Sequence, residues 1–119
     1  VFKAVSLIFS SLVLAACGSS DGSAQSAFAA VKEGALLIDV RTAEEFAGGH
    51  LPGAINIPHG EILAGVNALQ ADQSAAMVLY CRSGNRSGMA TKSLSGAGFS
   101  NVVNAGAYSS LKPVWDAGG

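Results

Sequence analysis

Two runs, "ALLIDV" (Ala35–Val40) and "AMVLYC" (Ala76–Cys81), constrain this chain most. Each is apolar almost without a break and meets polar chemistry only at its end. A half-exposed strand would alternate apolar and polar side chains, and these do not. They are therefore expected as strands covered on both faces, which requires a largely parallel sheet with helices above and below it. With 119 residues there is room for one such domain and not two.

The segments between the runs fit that plan. Phe28–Glu33 has helical spacing and stops at Gly34, a C-cap position. In "TAEEF", Thr42 is an N-cap with Glu45 three residues on, the capping-box spacing. "GGHLPG" (Gly48–Gly53) is turn chemistry, and "AINIP" (Ala54–Pro58) is a short strand that Pro58 ends. His59–Gln70 reads as an amphipathic helix with Ile62, Leu63, Val66 and Leu69 on one side. After the second run come a loop and a helix carrying Met89, Ala90 and Leu94, then a strand at Asn101–Asn104. A last helix is expected over Ala107–Trp115, interrupted by Pro113. The expected fold is a single α/β domain with a mainly parallel sheet of four or five strands and helices on both faces.

In such sheets ligands bind at the carboxyl ends of the strands. Two polar sites fall there, Asp39–Arg41 and Cys81 with the loop after it. The loop "RSGNR" is small and polar, and Gly84 accepts positive φ without strain. Successive backbone N–H groups in a curled loop make an anion-binding nest, and a following helix adds its N-terminal partial charge. Arg82 and Arg86 add two full charges. A thiolate in that field is favoured over the thiol, and the thiolate is the reactive form. A cysteine alone at a strand end is more often buried and inert; here the whole constellation points to a nucleophile that attacks or carries something anionic. With seven basic and eight acidic side chains in all, the chain lacks the basic surface nucleic acid requires.

Three motifs in order, "LIDVRTAEEF", "GGHLPGAINIP" and "VLYCRSGNRSGMA", resemble the rhodanese family of sulfurtransferases, over about Ala27–Lys112. The resemblance implies that Cys81 takes up a sulfane sulfur as a persulfide. Arg82, Ser83, Gly84, Asn85 and Arg86 would form the loop that cradles it, and Arg86 with Arg82 would draw in the sulfonate end of thiosulfate. The implied reaction is ping-pong transfer from thiosulfate, or another sulfane donor, to cyanide or a thiol, with no metal and no organic cofactor. Asp39 and Arg41 match the family's Asp-x-Arg. Their own chemistry points to a supporting role, with Arg41 reaching Glu44 or Glu45 and Asp39 accepting from loop N–H groups. His50 matches Gly-His-x-x-Gly-Ala and is expected as a hydrogen-bonded turn residue; His59 is expected in solvent, and Tyr80 and Trp115 in the core or at its rim. Ala107 replaces a glycine frequent in relatives, and the family's first short strand has no clear counterpart. Two other readings compete. Phosphatases of a related fold use five residues between cysteine and arginine, whereas four separate Cys81 from Arg86. A non-catalytic binding or redox-relay module would use the same fold.

The N-terminus tells a separate story. Val1–Ala16 carries one charge, Lys3, and an apolar stretch too short to span a bilayer, the pattern of a secretory signal. "LAAC" (Leu14–Cys17) resembles a bacterial lipobox, which implies lipidation of Cys17. The expected organisation is a signal over 1–16, a flexible tether over 17–27 and the folded domain over 28–119. The expected location is a membrane-anchored, periplasm-facing lipoprotein, with a soluble periplasmic protein as the alternative. Lipidated Cys17 would leave Cys81 without a disulfide partner.

Overall fold

The computed structural model describes residues 22–118. The apolar segment Val1–Ala16, the Leu14–Cys17 motif expected as a lipobox, and residues 17–21 of the expected tether lie outside the described residues. Both constraining runs are central strands. β1 (Leu36–Asp39) pairs in parallel with β3 (Met77–Cys81), with Leu36 beside Met77 and Asp39 beside Tyr80. β3 is buried along its whole length, which is why its sequence shows no alternation. β2 (Ile55–Asn56) and β4 (Val102–Ala107) complete the sheet in the order β2-β1-β3-β4, all parallel.

Helices cover both faces. On one, α1 (Gly22–Lys32) and α5 (Tyr108–Ala117) bury Ala27, Leu37, Leu51, Val78, Tyr80, Leu111 and Trp115. Phe28 and Trp115 meet edge to face, 4.9 Å between ring centres. On the other, α3 (Ile62–Ala68) and α4 (Asn85–Gly96) close over Ile38, Val40, Ile57, Leu79, Cys81, Ala90 and Leu94. The short α2 (Ala43–Ala47) follows β1 and has the complete capping box expected of Thr42 and Glu45.

Several local expectations are corrected. α1 begins at Gly22, so residues 22–27 are helical and not tether; Ala27 is buried against the α5 face, and small side chains there allow close approach. His59–Glu61 forms a single 3₁₀ turn ahead of α3, and α3 stops at Ala68. Of the four residues expected on the apolar side only Ile62 and Val66 are buried, while Leu63 and, just past the helix, Leu69 are about 40% exposed (39% and 43%). Gly65 leaves α3 no room for a side chain there: a Cβ would sit 2.5 Å from Cγ2 of Ile57, the residue just past β2. α4 buries Ser87, Ala90 and Leu94 and leaves Met89 51% exposed. Helical spacing from Leu94 selects 87 and 90 and rotates 89 outward.

β4 carries an irregularity. Leu79 pairs with Asn104 but Tyr80 with Gly106, so Ala105 is an extra residue on β4. Gly106, at φ +95°, takes the strain of the turn. Ala107 is extended (φ −97°, ψ 137°), so the alanine in place of a second glycine costs nothing there.

Candidate active site

The carboxyl ends of β1, β3 and β4 bring Asp39–Arg41, Cys81 and Tyr108 to one end of the sheet. Cys81, a free thiol, is fully buried. The backbone N–H of Gly84 donates to its Sγ at 2.9 Å. Gly84 adopts φ +97°, which turns the chain sharply from loop into α4. It also packs against β4, since a Cβ would lie 3.4 Å from the Gly106 Cα. A side chain at 84 would strain the backbone at this positive φ, so glycine is the residue that fits.

Arg82, Ser83 and Asn85 are exposed around this turn. Burial pushes the Cys81 thiol up. Hydrogen bonds from the Ser87 hydroxyl and from the backbone N–H groups of Ser87, Ser83 and Gly84 outweigh it and hold the thiol below its ordinary value.

Ser87 is the site residue the sequence did not disclose. It is fully buried, with Oγ 3.5 Å from Cys81 Sγ, 3.1 Å from Gly84 O and 2.6 Å from Asn104 Oδ1. A hydroxyl has one proton for these three acceptors. Asn104 cannot turn to offer a donor instead, because its Oδ1 also accepts from Gly106 N–H and its Nδ2 donates to Gly84 O. With a neutral thiol, a weak acceptor, the proton rests on Asn104. A thiolate is the stronger, charged acceptor and draws the proton to sulfur. The signal available in the sequence was Ser87's place on the inward face of α4, three residues before Ala90. Ser87→Ala is expected to move the pH inflection of Cys81 alkylation by a small reagent upward from the wild-type value; coincident profiles would remove this role.

Asp39 and Arg41 support the site without touching the sulfur. Arg41 Nε lies 3.0 and 3.1 Å from the two Asp39 oxygens and Nη2 2.7 Å from Oδ2, while its backbone N–H donates to Oδ1 at 2.9 Å. Nη2 also donates to Gly49 O, 2.6 Å away, and the guanidinium lies 4.5 Å from the Tyr108 ring centre. Donating to the Asp39 carboxylate raises the Arg41 pKa against the opposing effect of burial. The expected contact of Arg41 with Glu44 or Glu45 is therefore not made; Asp39 is nearer and faces the guanidinium fork with both oxygens. Asp39 accepts a loop N–H as expected, that of Arg41.

Glu45 pairs with Arg86 instead. Nη1 and Nη2 of Arg86 donate to its two carboxylate oxygens at 2.9 and 3.2 Å. Glu45 Oε1 also accepts from Thr42 N–H at 2.9 Å. The Arg86 hydrogen bonds, with those from Thr42, hold the Glu45 carboxyl down to about 2, and Glu45 in turn raises the Arg86 pKa. So Arg86 closes the loop, but its fork faces a carboxylate and does not stand open.

His50 donates its Nδ1–H to Phe46 O at 2.9 Å and stacks on the Phe46 ring, 3.7 Å between centres, as a turn residue. Tyr80 is wholly buried, with its hydroxyl accepting from Leu51 N–H at 3.1 Å, and Trp115 is in the core. His59 is half-buried rather than in solvent. It lines an open groove of about 440 Å³ with Glu61, Leu63 and Met89; none of residues 81–86 lines this groove, so it is separate from the thiol.

A four-stranded parallel sheet that ends one central strand in a cysteine, cradled by backbone N–H groups at a helix start, defines a class of thiolate-bearing α/β domains. The chain belongs to one family of that class: the model of the rhodanese-like domain family matches residues 23–110. It is 39% identical over 69 residues to thiosulfate sulfurtransferase PspE of Escherichia coli, covering 58% of this chain and 66% of PspE, just under two thirds. To thiosulfate sulfurtransferase GlpE of Pseudomonas entomophila it is 35% identical over 82 residues, 69% of this chain and 73% of GlpE. Among solved structures it is similar to a rhodanese with anions from E. coli, with a TM-score of 0.60 and 36% identity, covering 63% of this chain and 88% of that one.

Proposed function

We propose that this protein is a sulfurtransferase that carries sulfane sulfur as a persulfide on Cys81. The observation that carries the reading is the Gly84 N–H aimed at Cys81 Sγ at 2.9 Å in a loop that also favours the thiolate. The Cys81 thiolate attacks the outer sulfur of thiosulfate. The S–S bond breaks, its electron pair leaves on sulfite, and Cys81 holds the transferred sulfur as a persulfide anion. Cyanide or a thiolate then attacks that outer sulfur and the Cys81 thiolate is released. The inward N–H groups of Ser83 and Gly84 and the Ser87 hydroxyl stabilise negative charge on sulfur in each resting form. The names of PspE and GlpE support thiosulfate as the donor for this chain as well.

Phosphate hydrolysis fits less well. Only four residues separate Cys81 from Arg86, and the fork of Arg86 that would clamp a phosphoryl group is engaged by Glu45. The direct test is mass spectrometry of the protein after exposure to thiosulfate. One added sulfur on Cys81, removable by cyanide, is expected; an unmodified Cys81 would defeat the persulfide mechanism.

We also propose that Cys17 carries lipid and holds the domain at a membrane, on the strength of the Leu14–Cys17 motif. Metabolic labelling with palmitate should then mark the wild-type chain and not Cys17→Ala. An unlabelled wild type would remove the anchor.

A further inference from the structure

A loop with two arginines looks built to collect dianions, yet one of the two is neutralised. Glu45 meets Arg86 with both carboxylate oxygens, and each side chain is about a quarter exposed, 28% and 27%. The carboxylate is also fixed from behind. Glu45 is the third residue of α2, and its Oε1 accepts from Thr42 N–H and Oγ1 while Thr42 Oγ1 accepts from Glu45 N–H. The start of α2 is itself fixed, because the adjoining Arg41 is locked to Asp39 and Gly49. Glu45 is therefore preorganised to hold Arg86, and forming the pair costs little further side-chain freedom on the Glu45 side. The charge at the loop mouth falls from two cations to one, Arg82, which is exposed. What holds charge on Cys81 is chiefly backbone N–H and hydroxyl, so the chemistry at sulfur does not depend on freeing Arg86.

We infer that Glu45 is a specificity-determining residue: by pairing with Arg86 it biases the loop against dianionic sulfur donors and toward donors of lower negative charge. This rests on the sulfurtransferase reading and refines it. Glu45 acts through Arg86 and is a positioning residue, with no bond to the reacting atoms. The same carboxylate that occupies the fork also repels a second negative charge brought to the loop, and both effects weigh more on a dianion than on a monoanion.

The test compares thiosulfate with methanethiosulfonate. Each delivers its terminal sulfur to the Cys81 thiolate as one S–S bond breaks, the first releasing sulfite and the second methanesulfinate. They differ by one unit of charge. In Glu45→Gln the amide keeps the capping box, in which glutamate and glutamine are interchangeable. The kcat/KM ratio of thiosulfate to methanethiosulfonate is expected to rise about threefold or more, mainly through KM, and the gain should shrink as salt is added. In Glu45→Gln/Arg86→Gln the gain should disappear, since it needs a free guanidinium. An unchanged ratio in Glu45→Gln, or a fall because Glu45 orients Arg86 toward the donor, would overturn the inference while leaving sulfur transfer in place. If neither donor loads Cys81 in any variant, the sulfurtransferase reading itself fails, and the inference with it.

Discussion

Cys81→Ser should reduce sulfur transfer from thiosulfate to cyanide to the uncatalysed background. The substitution exchanges one atom in a site where Gly84 N–H and Ser87 already stand in hydrogen-bonding position, so the loop has no reason to rearrange. A serine hydroxyl stays protonated in a field sufficient to favour a thiolate, and an oxygen cannot form the persulfide that the proposed mechanism requires. Circular dichroism and the urea midpoint should stay near wild type, because the buried cysteine is replaced by a slightly smaller side chain that keeps its donor. Treatment with thiosulfate should add no sulfur to this variant. Turnover retained in Cys81→Ser would mean that another group carries the sulfur, and the loop would lose its central role.

The second large effect is on stability. Asp39 is fully buried and Arg41 nearly so, at 5% exposure, and the two are joined by a two-pronged contact. Arg41→Ala leaves the Asp39 carboxylate inside the protein with its main partner gone. Breaking a buried pair from one side costs about 3–5 kcal/mol, a large share of the roughly 5–15 kcal/mol that holds a domain of this kind together. The loss also takes the donor from Gly49 O and the cation from the Tyr108 face. Arg41→Lys should lose less, since one ammonium keeps the charge but not the fork. Urea unfolding of the two variants checks this; a loss under about 1 kcal/mol in Arg41→Ala would show that the pair is not held in the low-dielectric interior. Asp39→Asn/Arg41→Met, which removes both charges, should be less damaging than Arg41→Ala alone.

What was legible beforehand follows from where each signal lives. β1 and β3 are written locally, as apolar runs that only a sheet covered on both faces would use, and Gly84 between a strand and a helix marks the turn in the same local way. The capping box of α2 is likewise contained in four residues. The choice of partners is not local. Arg41 has Glu44 and Glu45 one helical turn away, but the chain turns it back onto Asp39. Glu45 then meets Arg86, 41 positions along the sequence. No spacing rule links those two, because they are neighbours only through the pairing of β1 with β3. Ser87 was hidden for a different reason. In the run "NRSGMA" a serine looks like surface, and only the rotation of α4 shows that it faces the thiol. The first turns of α1 were hidden by composition: Gly22–Ala27 is small and polar enough to pass for linker, and what ties it to the fold is the packing of Ala24 and Ala27 in the cluster that holds Leu111 and Trp115 of α5.

The depth of Cys81 has a practical meaning for traffic through the site. Its sulfur lies wholly beneath the surface, so a bulky thiol has poor access to it. In the proposed persulfide the outer sulfur would stand one S–S bond, about 2 Å, beyond the Cys81 sulfur. Under that mechanism an acceptor would meet the outer sulfur before the cysteine's own. Attack at the outer atom hands the sulfur on; attack at the inner one would release it and tie the acceptor to the protein as a mixed disulfide. If Cys81 carries sulfur in this way, its burial would sort productive collisions from dead-end ones by reach alone.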